Sequence, residues 1–139
     1  MTVNAKLIDF IKQSPSSFHA VETVARRLEA EGYISLPECA AWTILPGGKY
    51  YVTRNQSSVI AFTVPTAAPR GFMMCASHSD SPTFKIKEHP ESESAGMYVK
   101  LNTERYGGML CSTWLDRPLS VAGRVVVKSE GKIQSRTVC

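Results

Sequence analysis

The sequence predicts an α/β fold, and three observations predict it. The first third carries apolar residues at helical spacing, and the period turns strand-like after Gly32. Beyond that, Phe72-Met73-Met74-Cys75-Ala76 is a continuous apolar run, the pattern of a strand buried on both faces.

Taken in order, Leu7, Ile8, Phe10 and Ile11 share one face of a short helix that stops near Ser14-Pro15. A second helix fits Ser17–Ala30, with Phe18, Val21, Val24, Ala25 and Leu28 on one face and Gly32 just past its end. Ser16 or Ser17 caps its start by accepting a bond from an otherwise orphaned backbone N–H. The pair reads as an amphipathic cover for a sheet. After the Pro46-Gly47-Gly48 punctuation, residues 50–54 and 59–64 flank Asn55-Gln56-Ser57-Ser58 as a hairpin. Residues 83–87 read as a strand and 88–96 as a polar loop. Residues 97–102 and 109–114 read as strands around a Tyr106-Gly107-Gly108 turn, and 120–128 with 132–138 as a last hairpin around Ser129-Glu130-Gly131. A strand at 72–76 needs cover on both faces, yet only the two helices are available. The sheet read this way is under-covered, which points to part of a larger structure.

The 139 residues are 43% hydrophobic and 20% charged, a balance that excludes disordered and fibrous classes. No apolar run approaches the ~20 residues of a bilayer span. No basic start leads into an apolar stretch with a cleavage site, so a cytoplasmic protein is expected. The charge of +4 is confined to the region after Asp116, where five bases stand against Glu130 alone. Those bases are spread along a strand-like segment without interleaved aromatics, so nucleic-acid binding is not expected. Cys39, Cys75, Cys111 and Cys139 lack the paired spacing of zinc fingers or disulfide frameworks. Cys75 and Cys111, inside apolar runs, are expected to pack as small hydrophobes.

The stretch that carries chemistry is Ser77-His78-Ser79-Asp80-Ser81-Pro82, directly after the apolar run, where open α/β sheets place their ligand crevices. In extended chain His78 and Asp80 point to the same face. The carboxylate can then accept one imidazole N–H and leave the other ring nitrogen as a lone pair for a metal. A purely structural hydrogen-bonded pair is the plainer alternative, and spacing alone does not decide between them. His19, on the second helix, and His89, in the polar loop, have no ligand spacing with His78, so no complete metal site can be assembled from spacing. His19 is expected to pack or cap beside its helix, and His89 to face solvent. Trp42 and Trp114 are read as core or interface anchors. Asp116 is read as a turn cap or a partner for Arg117 or Arg124, not as a metal ligand. No Gly-x-Ser-x-Gly elbow is present, and both Gly-Gly pairs are too short to cradle a phosphate.

In these segments, taken in order, the sequence resembles the N-terminal part of the M18 metallopeptidases, the aspartyl aminopeptidase family. The resemblance runs through Leu7-Ile8-Asp9-Phe10-Ile11, Ser14-Pro15-Ser16-Ser17-Phe18-His19-Ala20-Val21 and Gly48-Lys49-Tyr50-Tyr51-Val52-Thr53-Arg54-Asn55. It continues through Ser77-His78-Ser79-Asp80-Ser81-Pro82, where Ser79 replaces the usual Thr. It takes in Ser57-Ser58-Val59-Ile60-Ala61 and extends from Tyr106-Gly107-Gly108 to Ser112-Thr113-Trp114-Leu115-Asp116-Arg117-Pro118-Leu119-Ser120-Val121-Ala122-Gly123-Arg124-Val125, although some members carry an acidic residue where Pro118 stands.

The resemblance implies a metalloaminopeptidase that removes N-terminal, preferably acidic, residues from peptides at a two-zinc site. It implies His78 as a metal ligand and Asp80 as the carboxylate that supports it. The remaining ligands and the general base of the family have no counterpart in these residues. The implied fold is part of a three-layer α/β zinc-aminopeptidase catalytic domain, residues 1–116, with residues 117–139 opening an inserted β-rich assembly domain. The expectation is therefore an N-terminal portion, inactive alone, of an enzyme that acts on peptides as a homo-oligomer, without nucleic-acid or membrane partners. The alternative is a non-catalytic assembly or interaction module related to these peptidases.

Overall fold

In the computed structural model, which describes all 139 residues, the helices fall where their apolar spacing puts them. Helix α1 spans Val3–Lys12, and Thr2 caps it by accepting from the Ala5 N–H. Helix α2 spans Ser17–Ala30, with the Ser16 hydroxyl accepting from the His19 N–H. These caps satisfy backbone donors that the first turn of a helix leaves without an internal partner. The two helices are tied by Arg27, which pairs with Asp9 at 3.3 Å and lies 5.1 Å from the Phe10 ring centre. Buried Thr23 donates to the Gln13 carbonyl at the α1–α2 junction.

A three-stranded sheet follows, in the order β1-β2-β3. Strand β1 (Ile34–Ser35) runs parallel to β2 (Lys49–Arg54), and β2 pairs antiparallel with β3 (Ser58–Thr63) in the register Tyr50↔Phe62 and Val52↔Ile60. The expected hairpin at this point is therefore present. Adjacent residues of β2 point to opposite faces, yet Tyr50 and Tyr51 are both buried, so both faces are covered there. Tyr51 donates to Glu29 of α2 at 2.6 Å, which defines the helical face. Tyr50 packs on Phe62 at 5.6 Å between ring centres and accepts from the Leu45 N–H at 3.0 Å. The cover on that second face is the connecting segment before β2, with Trp42 also lying against Phe62. With Tyr50 and Tyr51, Ala20, Val21 and Thr23 of α2 complete a small core.

The chain divides into two units, one made of residues 1–80 with 120–139 and the other of residues 81–119. Within the first unit, β6 (Gly123–Ser129) and β7 (Lys132–Val138) form the expected last hairpin, turning on left-handed Glu130 and Gly131. This hairpin joins the N-terminal unit because its side chains reach α2. Arg124 lies over the Phe18 ring at 4.5 Å, and Thr137 donates to Glu22 at 3.0 Å.

The second unit is built on β4 (Thr83–Ser94) and β5 (Tyr98–Tyr106), paired antiparallel. Here the sequence reading is corrected twice. The stretch read as a polar loop continues β4 instead, its irregularity absorbed by a break in register between Ile86 and Glu91 where His89 turns left-handed. The stretch 109–114 is not a strand; it holds a 3-10 turn at Cys111–Thr113, and Trp114 meets Phe84 edge-on at 5.7 Å. Gly107, as expected, turns with positive φ (70°).

The apolar run 72–76 is also corrected. It joins no sheet, and Phe72, Met73 and Met74 are 90%, 104% and 91% exposed. A strand exists only through its ladder partners, and no strand of this chain pairs with this segment. Cys75 is accordingly exposed and Cys111 partly so, rather than packed; all four cysteines are free thiols. Arg124, read as a possible partner of Asp116, goes to Phe18 and Asn55 instead.

Candidate metal-ligand segment

Residues 77–82 contain neither helix nor strand, so local geometry there rests on side chains. The expected pairing of His78 with Asp80 is present, with Nδ1 and Oδ1 2.9 Å apart. A carboxylate accepts, so in the neutral ring the proton of the pair sits on Nδ1 and the Nε2 lone pair is left over. The His78 side chain is 92% exposed, which leaves Nε2 accessible to a cation. Asp80 is much less exposed, at 37%. A neutral imidazole whose far nitrogen is held by a carboxylate is the usual form of a histidine metal ligand.

Ser79, between the two, points elsewhere. Its hydroxyl donates to the Ser57 carbonyl in the β2–β3 turn at 2.8 Å. Sequence reasoning did not find this contact. Period-two alternation sends residue 79 away from the face shared by 78 and 80, but the partner on that side lies 22 residues away.

The other histidines stay apart from this pair. His19 Nδ1 lies 2.8 Å from the hydroxyl of Ser16, the residue that caps α2, so the ring sits beside its helix as expected. His89 is exposed at the break in β4. No group of three His, Cys, Asp or Glu side chains converges as a metal cage. The donor set therefore fits one corner of a zinc shell, since zinc centres in proteins take three or four protein ligands. No helix is long and apolar enough to cross a membrane.

The site is thus a carboxylate-paired histidine in an exposed loop beside a small α/β sheet. Residues 10–139 match the family model described as aminopeptidase I zinc metalloprotease (M18), and the chain belongs to that family. It is similar to a probable M18 family aminopeptidase 2 of Clostridium novyi (strain NT), 50% identical over 127 residues, which are 90% of this chain and 29% of that protein. Among solved structures it superposes on Chaetomium thermophilum mApe1 with a TM-score of 0.90 and 40% identity, covering 96% of this chain and 32% of that one. The S. cerevisiae mApe1 dodecamer gives 0.88 and 32% over 96% of this chain and 32% of that one. The chain thus spans about a third of the length of the relatives it matches. Its α/β architecture is that of part of the M18 aminopeptidases.

Proposed function

We propose that this chain supplies the first metal-ligand segment of a zinc aminopeptidase that removes N-terminal, preferably acidic, residues from peptides. The observation that carries the reading is His78, with Nδ1 held by Asp80 and Nε2 open. In this role Nε2 donates its lone pair to zinc, while Asp80 fixes the tautomer and raises the basicity of the ring. Zinc, when bound, activates water and polarises the scissile carbonyl. His78 and Asp80 do not themselves move the reacting proton. Their work is to hold the metal side of the site in one orientation.

The further ligands, the second zinc and the base belong, in this reading, to segments of the longer family members that lie beyond the matched third. Those segments would also pair with the apolar run 72–76, whose exposed Phe72, Met73 and Met74 are suited to a buried strand. The dodecameric relative supports assembly as a homo-oligomer. A cytoplasmic site of action is part of the same proposal.

Zinc titration followed through the imidazole NMR signals of the three histidines tests the metal role. The expected result is a weak response centred on His78, absent in His78→Ala, and no turnover of peptides with N-terminal Asp or Glu by the chain alone. A response centred on His19 or His89 would overturn the assignment and leave the assembly-module reading. Turnover by the chain alone that His78→Ala abolishes would keep the family chemistry and overturn the need for further segments.

A further inference from the structure

The His78–Asp80 pair sits in a segment without a ladder or helix, and the His78 ring has almost no packing around it. Something other than the pair must hold the backbone that carries both side chains, because one hydrogen bond between residues two apart fixes only their mutual geometry. One connection that leaves the segment is the Ser79 hydroxyl, which donates to the Ser57 carbonyl at 2.8 Å.

That acceptor is itself well held. Asn55 and Gln56 are both left-handed (φ 51° and 58°), and the Ser57 N–H donates to the Arg54 carbonyl at 3.1 Å, closing a tight turn of the primed kind. Arg124 then clamps the turn from the last hairpin. Its Nη1 donates to the Asn55 carbonyl at 2.9 Å and to Asn55 Oδ1 at 3.0 Å, while the guanidinium lies over Phe18. Short side-chain bonds to Asn in the left-handed region stabilise a conformation that costs most other residues strain.

We propose that Ser79 is a positioning residue for the metal-ligand histidine. By tying residues 78–80 to the β2–β3 turn, it keeps the Asp80 carboxylate aligned on His78 Nδ1 and so keeps Nε2 free for metal. The inference rests on the ligand reading of His78 and adds a residue to it. Threonine at this position retains the hydroxyl and supports the same bond; valine, of the same shape, does not.

The test compares Ser79→Val with Ser79→Thr in the 139-residue chain, reading the imidazole ¹⁵N shifts of His78 at about pH 8, where an ordinary imidazole is neutral. These shifts report the share of the ring protonated on Nδ1. Asp80→Ala serves as the reference for a lost pair. The expected result is that Ser79→Val moves the Nδ1–H share at least halfway toward the Asp80→Ala value, while Ser79→Thr stays at wild type. The thermal midpoint of the two variants should coincide, because the site is exposed. If Ser79→Val and Ser79→Thr give the same share as wild type while Asp80→Ala lowers it, the positioning role is overturned and the pair survives. If Asp80→Ala leaves the share unchanged, the pair itself fails, and the positioning role with it.

Discussion

Between residues 49 and 63, and again between 83 and 106, the chain turns back on itself through the same device, two left-handed residues and one closing hydrogen bond. In the first hairpin these are Asn55 and Gln56, with the Ser57 N–H bonded to the Arg54 carbonyl at 3.1 Å. In the second they are Ala95 and Gly96, with the Met97 N–H bonded to the Ser94 carbonyl at 3.2 Å. Burial separates them. Strand β2 buries two tyrosines between a helix and a connecting segment, whereas every residue of β5 is exposed. Pairing is thus a local matter of turn chemistry, and stability depends on what covers the pair. Only the first hairpin has a core beneath it in this chain.

The same substitution placed in the two regions should break that comparison open. Val21 on α2 is 3% exposed, so Val21→Lys puts an ammonium group into the core beside the first hairpin. A buried charge without a partner belongs to the most damaging class of changes, and about 4 kcal/mol or more of stability should be lost. Val99 of β5 is 72% exposed and stands opposite Glu93, so Val99→Lys should change stability by no more than about 0.5 kcal/mol. Urea unfolding measures both, followed by Trp42 fluorescence with Trp114 replaced by Phe for the first and by Trp114 fluorescence with Trp42 replaced by Phe for the second. Equal losses would mean that burial does not distinguish the regions.

The two glycines that serve these hairpins sharpen the comparison at a smaller scale. A Cβ on Gly48 would lie 2.4 Å from Cε2 of Tyr50, and that ring is confined by Phe62 and by the Leu45 N–H. Gly48→Ala should therefore cost about 1–3 kcal/mol through overpacking. Gly96 has open space around it but φ of 64°, so Gly96→Ala should act through backbone strain alone, about 1 kcal/mol. Truncating Tyr50 to Ala beforehand should abolish the effect of Gly48→Ala; the additivity of that double variant is the measurement, and a fully additive result would reject the steric account.

What could be read from the sequence follows the same division between local and distant causes. Both helices, the Ser16 cap of α2, the hairpin turns at 55–58 and 129–131, and the His78–Asp80 pairing depend on neighbours within four residues, and patterns of that reach are visible in one dimension. The apolar run 72–76 looked like a buried strand because its residues demand cover; whether they obtain it depends on ladder partners that no residue of the run encodes. Strand β4 is illegible past Lys87 because Pro90 and five acidic or hydroxyl neighbours resemble a loop, while its ladder to β5 resumes at Glu91. The Ser79–Ser57 bond was hidden for the same reason: its partners are far apart in sequence, and serine is common enough to carry no signal. Likewise Arg124 could be seen as a base in search of a partner, but Phe18 and Asn55 are more than sixty residues away.

The smallest expected effect concerns Tyr51, whose hydroxyl ties the first hairpin to α2. Its hydrogen bond to Glu29 raises the phenol above its ordinary range, and burial pushes the same way. A folded-state pKa above the unfolded one means that the folded chain holds the proton more tightly. The resulting stabilisation is complete below the unfolded value of about 10 and is lost as pH rises through the higher folded value. Urea midpoints measured from about pH 8 to about pH 11 should accordingly stay level at first and then decline. Tyr51→Phe, which removes the titrating hydroxyl and keeps the ring, should lower the plateau and flatten the decline. Tyr98→Phe, in the exposed hairpin, should leave both as they are. A decline of equal slope in Tyr51→Phe would show that the alkaline loss originates elsewhere, and that the bond to Glu29 does not couple the proton to the fold.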